Sequence, residues 1–213
     1  MYVKVCGITH LDDAWSAIAA GADVLGFNFV PESKRRIGVE LARSIIEQIR
    51  GQALAVAVVA NLPTREALEL LSALGADRLQ LHGDESQDQL LALLPRAFKA
   101  LRVGGAEDVS IALSFPGQPL LVDAKVEGQL GGTGRTVDWP LVAPIARQRP
   151  LILAGGLTPD NVEQAVRIVR PWGVDTASGV EVSTDPRRKD PEKLRSFVAA
   201  ARRASPGQQA PAF

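Results

Sequence analysis

The sequence predicts an α/β fold, a single (β/α)8 (TIM) barrel, and three observations predict it. Eight short apolar runs alternate with longer amphipathic stretches along the chain. The repeat is about 20–30 residues, the size of one strand–helix unit of a parallel sheet. The length of 213 residues suits one such unit, because α/β barrels often use about 200–250 residues as a single domain. A doubly wound open sheet satisfies the same alternation, but eight repeats with no obvious extra segment fit the closed barrel better.

The runs, in order, are "YVKVC" (2–6), "VLGFNF" (24–29), "LAVAVV" (54–59), "RLQL" (78–81), "FKALRV" (98–103), "PLLVD" (119–123), "LILA" (151–154) and "VDTA" (174–177). Several are nearly continuous in Val, Leu and Ala, as expected of strands covered on both faces. The stretches between them carry helix signals. Thr64 precedes a periodic apolar face that Gly75 stops, and Thr158 is the expected N-cap of the segment after the seventh run, with Pro159 in its first turn. The barrel is expected over residues 1–203, with "ASPGQQAPAF" (204–213) as a fraying tail. No composition shift marks a second domain.

Bulk composition excludes several classes. Twenty-four basic residues balance twenty-four acidic ones, so the chain lacks the electrostatic footprint of a nucleic-acid binder. One cysteine allows no internal disulfide. The longest apolar stretch, "ALAVAVVANL" (53–62), is too short for a bilayer, which needs about 20 residues. No secretory signal is visible, and a cytoplasmic location is expected. With His10 and His82 as the only histidines, a histidine metal site is not expected, and the first run leads into "GITHLDD" rather than a dinucleotide-binding glycine turn. Barrels bury their cores internally, so either a monomer or a homodimer is compatible.

Function in this fold sits where strands end at their C-terminal side. That rule selects Cys6 after the first run, the basic loop around Arg35, His82 after the fourth run and Asp123 at the end of the sixth. It also selects "AGGLTPDN" (154–161) and "SGVE" (178–181) after the last two. Gly155, Gly156 and Gly179 let backbone N–H groups approach an anion, and loops after strands seven and eight, with a short extra helix, form the usual phosphate site of the fold. Ordinary helix-cap turns are the competing reading. Cys6 is either a small buried hydrophobe or a base that needs help to ionise, since a free thiol titrates near about 8.5. Asp123 is its candidate acid, or a cap for the following loop. Strand parity puts Lys4 one layer beneath Cys6, where a structural pair with an acid such as Asp175 is expected. Arg35, between Lys34 and Arg36, either belongs to a solvated basic run or grips a planar carboxylate in two-pronged fashion. His82 either lines the mouth or serves a turn.

Six stretches in this order, "KVCGIT", "GADVLGFNFVPESKRRI", "LQLHGDE", "LLVDAKVEGQLGGTGRTVDW", "LAGGLTPDNV" and "GVDTASGVE", together resemble the phosphoribosylanthranilate isomerase family of tryptophan biosynthesis. The resemblance runs from the first strand to the loop after the eighth. It implies an Amadori rearrangement of N-(5-phosphoribosyl)anthranilate to 1-(2-carboxyphenylamino)-1-deoxyribulose 5-phosphate, with no cofactor and a phosphorylated small molecule as the only required partner. It further implies Cys6 as general base, Asp123 as general acid, Arg35 as the holder of the anthranilate carboxylate, and Gly155, Gly156, Ser178 and Gly179 as the phosphate site. The related isomerase of histidine biosynthesis uses a pair of aspartates, and here the first strand supplies a cysteine. Three positions depart from the family's habit: Ala177 where a serine is expected, and Arg135 and Val137 where lysine and phenylalanine are common.

Overall fold

Eight parallel strands close into a barrel in chain order: β1 (Tyr2–Cys6), β2 (Val24–Asn28), β3 (Leu54–Val59), β4 (Arg78–Leu81), β5 (Ala97–Val103), β6 (Leu120–Ala124), β7 (Leu151–Leu153) and β8 (Gly173–Thr176). The computed structural model describes residues 1–124 and 138–205. Helices α1 (Leu11–Ala20), α2 (Val39–Ile49), α3 (Thr64–Leu74), α4 (Gln87–Leu93), α5 (Ala106–Ser114), α6 (Trp139–Gln148), α7 (Val162–Val169) and α8 (Pro191–Arg203) follow the strands in turn. The closed parallel barrel expected from the alternation is therefore the fold observed, and strand limits differ from the apolar runs by a residue at some ends.

Both faces of each strand are covered, which is why the runs read as continuously apolar. Val3, Val5, Leu25, Phe27, Ala57, Leu79, Val122 and Leu153 point outward into the layer beneath the helices. Val24, Val56, Phe98, Leu121 and Ile152 fill the barrel interior, and Tyr2 stacks on Trp172 at 4.4 Å between ring centroids to close its lower end. Toward the strands' C-terminal ends the inward positions turn polar: Lys4, Cys6, Gln80, His82, Asp123 and Asp175.

Two local expectations need correction. Thr158 is not the cap of α7. The Asn161 side chain accepts from the Thr158 N–H at 2.8 Å and donates to the Gly156 carbonyl at 2.9 Å, which ties 156–161 into a turn and delays the helix to Val162. Thr64 opens α3, with Pro63 in the cap position, and Gly75 ends it in the left-handed region at φ 62°, as the run of apolar residues between them implied. Finally, the segment after β8 is more than a connection. A three-residue 3-10 turn, Ser178–Val180, stands where a short extra helix was expected. It leads into an antiparallel hairpin, β9 (Glu181–Val182) and β10 (Asp185–Lys189), which the count of eight repeats passed over. Helix α8 ends at Arg203, but residues 206–213 of the expected tail, together with Arg135 and Val137, lie outside the described residues.

Candidate active site

The first layer of the site is set by the register of β1. Lys4 pairs with Asp175 across β8, and Cys6 pairs with Gly26 across β2. The Lys4 ammonium, in a residue 1% exposed, donates to Asp175 Oδ1 at 2.9 Å, so the expected buried pair is present. Gly26 carries no side chain because none fits: a Cβ there would stand 2.8 Å from Cys6 Sγ and 3.1 Å from Lys4 Nζ. Thiol and ammonium therefore share one small space. Burial pushes the Cys6 thiol up, Lys4 and Lys189 draw it down, Asp175 works against them, and the net direction is up. Burial alone would pull Lys4 down, but Asp175 and Cys6 outweigh it and hold the ammonium above its ordinary value.

Asp123 faces this layer from β6, separated from β1 by β7 and β8 on the shorter way round. Its Oδ2 lies 3.4 Å from His82 Nε2, and His82 Nδ1 lies 2.9 Å from the amide nitrogen of Gln80. The ring therefore lies between Gln80 and Asp123. His82 thus lines the mouth. Cys6 and Asp123 are each 8% exposed.

Arg35 stands beside Cys6 rather than in solvent, although Lys34 and Arg36 are exposed. Its stem lies across Gly7, where a Cβ would come within 2.4 Å of Arg35 Cδ and where φ is 78°, so that glycine serves both the turn and the close approach. The guanidinium grips a carboxylate two-pronged, and the carboxylate is Glu181: Nε donates to Oε1 at 2.5 Å and an η nitrogen donates to Oε2 at 3.2 Å. Lys189, paired with Glu181 in the hairpin, donates to the same Oε1 at 3.2 Å and to the Ala177 carbonyl at 3.1 Å. Burial pulls the Lys189 ammonium down, against the pull of Glu181. The cluster thus sets two basic groups against one carboxylate. The hairpin is tied in place by Arg188 and the Lys189 N–H on Asp13, by Thr9 Oγ1 donating to the Arg187 carbonyl at 2.6 Å, and by the Arg187 guanidinium on the Arg36 carbonyl at 3.1 Å.

Sequence reasoning missed Glu181 and Lys189 as members of the site. Glu181 sits inside the quoted "SGVE", but nothing there names its partner, and Lys189 is hidden in the charge run "DPRRKD".

The loops after β7 and β8 come together. Gly155 and Gly156 have φ of 84° and 62°, and among the described residues their N–H groups donate to no backbone carbonyl. Gly179 lies so close to this loop that a Cβ would stand 2.0 Å from the Leu157 carbonyl. Thr176 donates to that same carbonyl at 2.8 Å, locking the loop after β7 to the 3-10 turn that holds Ser178 and Gly179. The site therefore has a charged rim at Arg35, a rim of unclaimed backbone donors at 155–156, and a thiol and a carboxylate between them. Among the described residues no three His, Cys, Asp or Glu side chains converge as a metal site, and no helix is long and apolar enough to cross a membrane.

The profile of the N-(5'-phosphoribosyl)anthranilate (PRA) isomerase family matches residues 3–200. An N-(5'-phosphoribosyl)anthranilate isomerase of Magnetococcus marinus is 44% identical over 209 residues, covering 96% of this chain and 97% of its own. The crystal structure of phosphoribosyl anthranilate isomerase from Thermotoga maritima superposes with a TM-score of 0.87 at 37% identity, covering 94% of this chain and 98% of its own. A further structure, of phosphoribosyl anthranilate isomerase in complex with reduced 1-(o-carboxyphenylamino)-1-deoxyribulose 5-phosphate, superposes at 0.84 with 35% identity, covering 94% and 98% of the two chains.

Proposed function

This chain belongs to the N-(5'-phosphoribosyl)anthranilate isomerase family, and from that premise we propose that it converts N-(5-phosphoribosyl)anthranilate to 1-(2-carboxyphenylamino)-1-deoxyribulose 5-phosphate with Cys6 as general base and Asp123 as general acid. The observation that carries the reading is the placement of these two groups, both largely buried, on well-separated strands of one mouth.

The substrate has an anthranilate carboxylate at one end and a phosphate at the other. Arg35 takes the carboxylate with the η nitrogen that Glu181 leaves free, Nε and the other η nitrogen being held by Glu181, and the spare positive charge of the Arg35–Glu181–Lys189 cluster balances it. The phosphate falls to the N–H groups of Gly155 and Gly156 and to the turn at Ser178 and Gly179. Between these anchors the sugar is held with its ring oxygen toward Asp123. Asp123 delivers a proton to that oxygen as the C1–O bond breaks, giving the open-chain Schiff base. The iminium nitrogen acidifies the proton on the neighbouring sugar carbon, and the Cys6 thiolate removes it from the other side. The electron pair left on carbon forms the C1=C2 double bond as the C=N π pair moves onto nitrogen, giving an enolamine that tautomerises to the aminoketose. The substrate's own imine serves as the electron sink.

The test is the fluorescence of freshly generated phosphoribosylanthranilate with wild type, Cys6→Ala and Asp123→Asn protein. Rapid loss with wild type is expected. Each folded variant should slow it by about 10²–10⁴-fold, the usual worth of a general acid or base. Near-normal turnover by folded Cys6→Ala would remove the thiol from the mechanism.

A further inference from the structure

The Lys4–Asp175 pair lies one layer beneath the thiol and has no part in the steps above. Placing a lysine inside a barrel carries a desolvation cost that an apolar side chain of similar size would not, and a packing role gives no reason for a charge there. The charge has one neighbour that would use it. Lys4 Nζ and Cys6 Sγ lie 3.1 Å and 2.8 Å from the same point beside Gly26, and Asp175 holds the ammonium from the other side at 2.9 Å.

We propose that Lys4 is a positioning residue for the reaction: its ammonium, anchored by Asp175, supports negative charge on Cys6 Sγ and so sets what share of the enzyme holds its base in the active form. The proposal rests on the reading of Cys6 as base. The other groups around the sulfur act differently. Lys189, from β10, also favours the thiolate, but its ammonium is spent on Glu181 and the Ala177 carbonyl. Arg35, from the loop after β2, is committed to Glu181. Asp175, from β8, opposes ionisation of the sulfur, and Asp123 and His82, on β6 and just after β4, act across the mouth on Asp175. Of the cations, Lys4 alone shares with the thiol the small space beside Gly26, and its position is fixed by strand register rather than by a loop.

Cys6 is the chain's one cysteine, so thiolate absorbance near 240 nm, with Cys6→Ala protein as the blank, reads this sulfur alone. Lys4→Met should move the thiol titration upward by about one pH unit or more, which lowers kcat near neutral pH by about tenfold with KM little changed, and the deficit should shrink as pH is raised. Lys4→Arg keeps the charge and should restore part of the shift. Asp175→Asn leaves the ammonium and removes the opposing carboxylate, so it should move the titration downward. A purely structural pair predicts no such opposition of signs. Folded Lys4→Met protein with the wild-type titration, or an upward movement in Asp175→Asn, overturns the proposal. Near-normal turnover by Cys6→Ala would instead overturn the base reading, and it leaves the titration result distinct.

Discussion

Two buried lysine–carboxylate pairs in this barrel look alike by distance and differ in everything else. Lys99 meets Glu85 at 2.7 Å, and Lys4 meets Asp175 at 2.9 Å. The first pair is closed. Glu85 also accepts from the N–H groups of Asn61 and Gly83, and Lys99 also donates to the carbonyls of Leu81 and Gly83. The second pair is open on one side, and what stands on that side is a thiol. A pair whose bonds are all internal fastens loops. A pair left open toward a reactive atom lends that atom its charge.

The largest effect expected from breaking the comparison is on stability. Lys99→Met strands the Glu85 carboxylate in a site with no solvent access and should lower the unfolding free energy by about 3–5 kcal/mol, read by urea titration. The titration of Cys6 should not move. If it moved as in the Lys4 variants, the two pairs would not be different in kind. Gly26→Ala should cost less, about 1–3 kcal/mol, because the new methyl must push Sγ and Nζ aside, and its signature is kinetic: turnover near neutral pH should fall by more than the stability loss explains. The smallest effect needs no mutation. Burial leaves the folded thiol above its ordinary value, so the base is mostly protonated at neutral pH, and kcat/KM should rise as the pH is taken above 7 and fall below it. The same direction implies that Cys6 contributes stability that is fully present below the ordinary thiol value and is lost as pH climbs from there through the raised folded value. A kcat/KM that fell between pH 7 and 9 in the folded enzyme would contradict the sign.

Much of this was legible in the sequence, for reasons that particular residues make plain. Lys4, Cys6 and Asp175 could be placed because strand parity is strict and β1 and β8 are neighbours once the barrel is closed. Arg35 could not be decided, because its direction is set by Gly7 and by Glu181, which lies 146 residues away. The hairpin was invisible for a related reason. β10 is "DPRRK", polar and carrying a proline, and it pairs as a strand because Arg188 and Lys189 reach Asp13 on α1. Its order comes from tertiary ion pairs, which leave no periodic trace in sequence. Thr158 misled because a threonine before proline satisfies the cap rule locally, while the Asn161 side chain had already claimed the turn.

The ties between the two ends of the chain also bear on the order of events during synthesis. Cys6, Lys4 and Arg35 leave the ribosome early. Asp175, Glu181 and Lys189, which neutralise or shape them, follow after most of the barrel has been made, and the Lys4–Asp175 bond spans 171 positions. Contacts so far apart in sequence form late, because the intervening chain must first be ordered. The proposed reactive centre is therefore completed late, and a nascent barrel that lacks its eighth strand holds a thiol and a lysine without the geometry that joins them.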